Sequence, residues 1–352
     1  MSDIKAKIME ALTVLMKRET LNKAFFKVKA YKKVVEELKI SDKPITKIED
    51  IDTIPGVGEK IRKKVQEILD TGGLAAAVKA KEELSLDALD ELSAIYGVGP
   101  VKAKELIAAG IKTVKQLREA VAKDPSILNE KQKIGVQYYE DILKRIPRAE
   151  MEQHERMLLG ALLPGMRGTI VGSYRRGAKD SGDIDVLITM EGKTAKQRTV
   201  AFQEYVEKLK SSGYMSVVLA EGGQKCLSVV KLGPMEVSRR LDLLLVPSEQ
   251  FPFALLYFTG SGDFNIAFRK HALTLGYTLN EHEMKLTGKK GVEAADVPSF
   301  KHEAEIFAFL GLKYKEPNQR IGAASVVELS ENVKAKVAEV KKTRKAKKNK
   351  AW

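Results

Sequence analysis

Gly172-Ser-Tyr-Arg-Arg-Gly177, with Ser181-Gly-Asp-Ile-Asp-Val-Leu-Ile188 just after it, is the stretch on which the reading of this chain turns. Alternation along an extended segment puts Asp183 and Asp185 on one face and turns Ile184 to the other, so two carboxylates converge where a strand begins. Like charges held that close require a cation. Ser173, Arg176 and the Gly182 backbone lie nearby in sequence and suit the oxygens of a triphosphate, the arginine through forked charge-assisted bonds. Asp242 follows Arg240 within the apolar run Leu241 to Val246, where an unpartnered carboxylate is costly to bury. Three such carboxylates suit two Mg2+ ions roughly 3.5 to 4 Å apart, one activating an attacking hydroxyl and the other neutralising a triphosphate and its leaving pyrophosphate. Mn2+ is an expected substitute. The chemistry implied is in-line phosphoryl transfer.

Outward from this stretch, the texture after Pro147 is of short β-rich runs at 168–172, 183–189, 225–232 and 241–246, with a helical pattern at 196–210. Helical segments at 251–257, 265–275 and 303–310, with short strands among them, make a small C-terminal lobe. The first 145 residues read as helices: Leu21, Phe25, Val28, Tyr31 and Val35 recur at three and four, and a second helical pattern runs from Gln132 to Lys144.

Within that helical region Ile54-Pro-Gly-Val-Gly58 and Tyr96-Gly-Val-Gly-Pro100 are two copies of one device, each leading into a helix. Gly56 and Gly58, like Gly97 and Gly99, permit a tight turn in which backbone approaches a partner, while the next helix offers free N–H groups and its positive end. That geometry suits a phosphate. Lys60, Lys63 and Lys64 follow the first turn, and the spacing of Lys60 and Lys64 puts both on one helical face. Such a face either meets phosphate or, if a neighbouring cation favours the neutral amine, supplies a Schiff-base nucleophile; spacing alone favours the former.

Composition sets the bounds. At 352 residues and 44% apolar the chain is long enough for two to four folded domains. Neither an eighteen-residue apolar run nor a secretory leader is seen, so a soluble, intracellular protein with no membrane partner is expected. The single cysteine, Cys226, lies in an apolar stretch and reads as a structural thiol. Lys and Arg outnumber Asp and Glu by 61 to 47, which favours a polyanionic partner. Seven of the ten residues from Lys341 to Lys350 are basic, a run that serves as a nuclear localisation signal or as extra DNA-binding charge.

Taken in order, YGVGPVKAKELIAAGIKTVKQLR, KRIPRAEM, GSYRRGAKDSGDIDVL, RRLDLLLVP and LYFTGSGDFNIAFRKHAL resemble the family X DNA polymerases, and within them the beta type, from about Leu21 to Pro317. The two glycine turns resemble helix-hairpin-helix motifs, which grip DNA backbone with a monovalent cation, K+ or Na+, on turn carbonyls. The resemblance implies an all-helical N-terminal region with two helix-hairpin-helix motifs, an α+β nucleotidyltransferase palm and a small α+β C-terminal lobe. The expected divisions are a lyase-like domain at 1–80, a second DNA-binding domain at 81–147, the palm at 148–247, a nucleotide-selecting lobe at 248–317 and a basic tail at 318–352. It further implies a monomer filling gapped or nicked double-stranded DNA from deoxynucleoside triphosphates during base excision repair, and the basic run, read as a localisation signal, implies the nucleus.

By the same resemblance Asp183 and Asp185 ligate both metals, while Asp242, supported by Arg240, ligates the catalytic one and steers the primer hydroxyl proton. Arg145, Ser173, Arg176 and Gly182 bind the triphosphate, and Tyr257, Phe258 and Gly260 shape the sugar pocket. Asn265 meets the base or minor groove and Arg269 the template. Lys64 takes the Schiff-base position of a 5′-deoxyribose phosphate lyase, with Lys27, Tyr31 and Lys60 around it. Departures from the pattern bear on closing and fidelity: Gly262 stands for an Asp, Leu244 for an Arg and Phe26 for a template-stacking His. Asp52 stands for a basic residue of the 5′-phosphate pocket, and Gly73 and Ala76 for lysines. The short turn Gly233-Pro-Met-Glu favours template dependence over a template-independent transferase, and the three matched carboxylates argue against a non-catalytic DNA-binding scaffold.

Overall fold

The computed structural model describes residues 4–41, 43–83, 85–288 and 295–330; the basic run 341–350 lies outside them. The chain forms two compact units, Met1–Leu143 and Lys144–Trp352.

The first unit is helical among its described residues. Helices α1 (Ile4–Leu21), α2 (Phe25–Ile40), α3 (Glu59–Thr71) and α4 (Ala75–Glu83) close around Ile8, Leu12, Leu15, Val34, Leu38, Ile61, Val65 and Ile68. Each helix contributes apolar residues three or four apart, which makes one face dry. A second cluster is built by α5 (Leu86–Ser93), α6 (Pro100–Ala108), α7 (Val114–Lys123), α8 (Glu130–Gln137) and α9 (Tyr139–Leu143) around Leu89, Leu92, Ile95, Leu106 and Leu117.

Two helical readings require correction. The recurrence from Leu21 to Val35 is not one helix: α1 ends at Leu21, Lys23 turns left-handed at φ 57°, and α2 starts at Phe25. A three-residue turn keeps the apolar spacing in phase, so periodicity runs through it, yet Phe25 is 72% exposed. Likewise the pattern from Gln132 to Lys144 is divided at Tyr138 between α8 and α9.

In the second unit β2 (Met166–Ile170), β4 (Ile184–Met190), β5 (Met215–Glu221), β6 (Lys225–Val230) and β7 (Arg239–Leu245) form one sheet in the order β2-β4-β7-β6-β5. Only the central β4–β7 pair is parallel. Two-residue strands β1 (Ile146–Pro147) and β3 (Asp180–Ser181) pair separately. Strand β5 escapes the sequence reading because two register shifts break its alternation.

Helices α10 (Arg148–Gly160) and α12 (Ala195–Ser211) cover one sheet face, where Met151, Leu158, Phe202 and Tyr205 meet Ile184, Val186, Ile188, Leu241 and Leu243. Cys226 is buried in the same core, its thiol pushed up to about 11 by burial. The period-two alternation sends Asp185, Leu187, Asp242 and Leu244 to the opposite face. There α13 (Phe251–Thr259) packs Ala254 with Leu187 and Val246, which covers the far ends of β4 and β7 rather than the ends that carry the aspartates.

Helix α13 leads through α14 (Gly262–Thr274), β8 (Tyr277–Leu279), β9 (Met284–Leu286) and α15 (Glu303–Phe309) into a lobe centred on Phe264, Phe268 and Phe307. Glu303, at the start of α15 and only 5% exposed, is shared by Arg175 at 2.8 Å and by the fully buried Arg320 at 2.6 Å.

Candidate active site

The parallel pairing of β4 with β7 makes Asp185 and Asp242 direct neighbours across the sheet. Asp183 sits just before β4, rather than within it. The Arg240 guanidinium donates from Nη2 to Asp183 Oδ2, and its Nε lies 3.6 Å from Asp242 Oδ1. Arg240 therefore serves Asp183 directly and pairs with Asp242, the partner expected of it, at longer range. Burial, followed by the charges of Asp183 and Asp242, pushes the Asp185 carboxyl up to about 7. Burial also raises Asp242, against the pull of Arg240.

Asp242 Oδ1 and Arg240 Nε are both buried without a hydrogen-bond partner. Among the described residues no three His, Cys, Asp or Glu side chains are drawn together tightly enough to hold a metal as they stand, and Arg240 is bonded to one of the three aspartates. Even so, an orphaned carboxylate oxygen and a carboxyl whose ionisation is opposed by burial and by its acidic neighbours are what a divalent cation relieves, so the donor set fits one. Lys225 also acts on Asp185 and Asp242. The sequence reading passed over it, although it stands two residues before Leu227, the partner of Asp242 across β6 and β7.

Beside the carboxylates lies α11 (Gly172–Arg175). Gly172 has φ +63°, and a side chain there would come within 3.3 Å of Asp185 Oδ2, so glycine lets the helix start directly against the carboxylate. Ser173 Oγ donates to Ser181 Oγ at 2.9 Å. Arg145 is held by Asp180 through Nε at 2.9 Å and Nη2 at 2.6 Å. A Cβ on Gly182 would lie 2.9 Å from Arg145 Nη1. The β1–β3 pairing thus brings Arg145, Ser173 and Gly182 to one rim. Arg176 points instead to the end of α13, donating to Thr259 O at 2.6 Å. Next to it Tyr257 and Phe258 meet edge-on with centroids 5.1 Å apart, and Gly260 ends the helix at φ 67°. Asn265 Nδ2 donates to Tyr257 O at 2.7 Å; with the exposed Arg269 one turn on, it shares a shallow pocket lined also by Tyr257.

In the first unit Gly56 (φ 97°) and Gly97 (φ 82°) form the two turns, while Gly58 and Gly99 cap α3 and α6 in extended conformation. At the second turn the Gln132 amide donates to Gly97 O at 3.1 Å, and a Cβ on Gly135 would stand 2.1 Å from Tyr96 O. Lys64 is half-buried and donates to Lys60 O at 3.2 Å, whereas Lys60 is exposed. Lys27 pairs with Glu19 at 3.1 Å. Burial and the Glu19 charge raise the Tyr31 phenol, so Lys27 and Tyr31 share a corner organised by a carboxylate the sequence reading missed. Burial opposes ionisation of Glu19, but bonds from Arg18 and Lys27 outweigh it and hold its pKa below the usual range. Asp52 is occupied by Arg62 at 2.9 Å.

The family described as DNA polymerase beta palm matches residues 145–248, and DNA polymerase beta thumb matches 254–321. The fingers domain of DNA polymerase lambda matches 90–143, and a helix-hairpin-helix domain matches 4–74. DNA polymerase lambda of Rattus norvegicus is 35% identical over 327 residues, covering 89% of this chain and 56% of the relative. The chain belongs to the family X DNA polymerases. DNA polymerase lambda of Arabidopsis thaliana is 28% identical to this family X chain over 297 residues, 78% of it and 55% of the relative. DNA nucleotidylexotransferase of Xenopus laevis is 27% identical over 316 residues, 79% of the chain and 60% of the relative. The chain thus spans less than two thirds of each of these relatives. Within the family, the helical region with its glycine turns precedes the palm sheet bearing the aspartates and the thumb lobe of α13 to α15. Among the described residues no helix is long and apolar enough to cross a membrane.

Proposed function

We propose that this chain is a template-directed DNA polymerase that fills short gaps in base excision repair, taking deoxynucleoside triphosphates onto a primer in gapped or nicked DNA. The observation that carries the reading is the parallel register that sets Asp185 against Asp242, with Asp183 and the start of α11 beside them. Asp183, Asp185 and Asp242 would hold two Mg2+ ions, which supply charge neutralisation for the triphosphate and a more acidic attacking hydroxyl. Arg145, Ser173, Arg176 and the Gly182 amide take the triphosphate oxygens. Tyr257, Phe258 and Gly260 enclose the sugar, Asn265 meets the base, and Arg269 the template. Arg240 keeps Asp183 oriented and its charge in check.

The two glycine turns grip the DNA backbone without reading sequence, with K+ or Na+ on neutral turn carbonyls. Lys64 forms the Schiff base of a 5′-deoxyribose phosphate lyase, with Lys60 a turn away and Lys27 and Tyr31 contributing from α2. The protein acts as a monomer, in the nucleus, through the five-part division at residues 80, 147, 247 and 317.

The experiment is gap filling on a one-nucleotide gap with a 5′-deoxyribose phosphate, following nucleotide addition and sugar-phosphate loss together. Addition with sugar loss supports both activities. Addition alone removes the lyase assignment, and the positions Asp52, Gly73 and Ala76 become the first to restore to lysine. Borohydride trapping should be lost in Lys64→Ala; equal trapping would move the nucleophile elsewhere. A second reading, template-independent transfer, is favoured by the likeness to a nucleotidylexotransferase. Only residues 231–238 link β6 to β7, which favours template dependence, and extension without a template strand would reverse the choice.

A further inference from the structure

Helix α11 is only four residues long, Gly172 to Arg175, and at its end Tyr174 O accepts from Gly177 N at 2.9 Å and Ser173 O from Ala178 N at 3.1 Å. Arg148, at the start of α10, adds a donor from outside the segment, on the remaining lone pair of Tyr174 O. Its Nη1 donates to Tyr174 O at 3.1 Å and to Ala178 O at 3.3 Å, and its backbone N–H donates to Lys179 O at 3.0 Å. The guanidinium carbon stands 4.6 Å from the centroid of the Tyr174 ring, within the range of a cation–π contact. Two turns along the same helix, Glu155 accepts the Tyr174 hydroxyl at 2.6 Å. Tyr174 itself is 8% exposed, so it is gripped at its carbonyl, its ring face and its hydroxyl by residues of one helix. That helix is anchored in the palm core through Met151 and Leu158, which are 1% and 0% exposed.

We infer that Arg148 is a positioning residue for nucleotide binding: by holding the carbonyl end of α11 against α10 it sets where Ser173 and Arg176 meet a triphosphate. The inference rests on the polymerase reading, because it gives α11 its ligand. Arg148 pairs with the carboxylate of Glu152 on its own helix, at 3.5 Å, and not with one of the three aspartates. Its loss should therefore weaken nucleotide binding far more than turnover at saturation. Ser173 directly precedes Tyr174 and Arg176 lies two residues after it, and loss of one charge-assisted bond to a triphosphate costs about tenfold in affinity.

The test is steady-state single-nucleotide gap filling by the full chain, with KM for the incoming nucleotide and kcat measured separately. Gapped-DNA affinity and thermal stability are followed in parallel. Arg148→Ala should raise KM about tenfold, change kcat by less than about threefold and leave DNA affinity unchanged. Arg148→Lys, which keeps the charge but loses the fork, should fall between that variant and the wild type. Tyr174→Phe, which loses only the Glu155 bond, should raise KM about twofold. If Arg148→Ala does not fold, the ordering wild type, Tyr174→Phe, Arg148→Lys in KM still decides the matter. An unchanged KM in the Arg148 variants, or a loss confined to kcat, overturns the positioning role while nucleotide addition by the wild type stands. A wild-type chain that adds no nucleotide removes the polymerase reading and this inference with it.

Discussion

Replacing Asp185 by Asn in the metal-free protein removes the cost of burying this carboxyl beside Asp183 and Asp242. The Asp185 carboxyl is pushed from 3.8 to about 7, first by burial and then by Asp183 and Asp242. A folded pKa above the unfolded one means that the folded chain holds a proton the unfolded chain has already released. This group therefore weakens the fold as pH rises through the window from about 4 to about 7, and fully above it. Three pKa units correspond to about 4 kcal/mol at most; the solvent near the uncovered strand ends reduces this to about 2 kcal/mol. Asn keeps the shape and cannot ionise. In the presence of a chelator at pH 8, calorimetry should show the second unit of Asp185→Asn melting about 4 to 8 °C above the wild type, with the gap closing as the pH falls below about 4. His154, whose imidazole burial holds at about 4, titrates with the opposite sense over an overlapping range but is common to both proteins and cancels. Adding Mg2+ should stabilise the wild type and not the variant. A variant less stable than the wild type at pH 8 without metal would refute the account of Asp185 as a carboxyl destabilised by burial and by its acidic neighbours.

Three further outcomes follow from the same geometry. Asp242→Ala should abolish primer extension in a gel assay while gapped-DNA binding stays within about twofold, since the substitution removes the orphaned Oδ1 rather than a DNA contact; undiminished extension would remove Asp242 from the metal set. Glu303→Gln leaves the half-buried Arg175 and the fully buried Arg320 with no carboxylate and should cost about 3 to 5 kcal/mol, read as an earlier melt of the second unit; an unaltered melt would show that the rings of Phe264, Phe307 and Tyr314 around Arg320 suffice. Gly135→Ala would place its Cβ 2.1 Å from Tyr96 O and force the second glycine turn to shift, so gapped-DNA affinity should fall several-fold while borohydride trapping at Lys64 persists; unchanged affinity would separate that turn from DNA binding.

Much of the chain was legible because its signals are local. Period-two alternation decided which face of β4 carries Asp185 and which carries Ile184. Glycine pairs announced both turns, since positive φ at Gly56 and Gly97 is a backbone requirement written in single residues. Apolar spacing located the helices but not the break at Lys23, because a short turn can preserve the phase of a hydrophobic pattern while reversing the chain.

What only the tertiary structure decided are the relations between segments far apart in sequence. The parallel register that sets Asp185 against Asp242 depends on how β7 enters the sheet. The bond from Arg240 to Asp183 rather than Asp242 depends on where β7 places that side chain. Glu19 holding Lys27, Asp52 paired with Arg62 and Arg148 clasping Tyr174 join residues between eight and twenty-six positions apart. A sequence states which groups the chain carries and the local conformations they prefer. Which charge neutralises which is settled only when packing removes the water that would otherwise have screened them all alike.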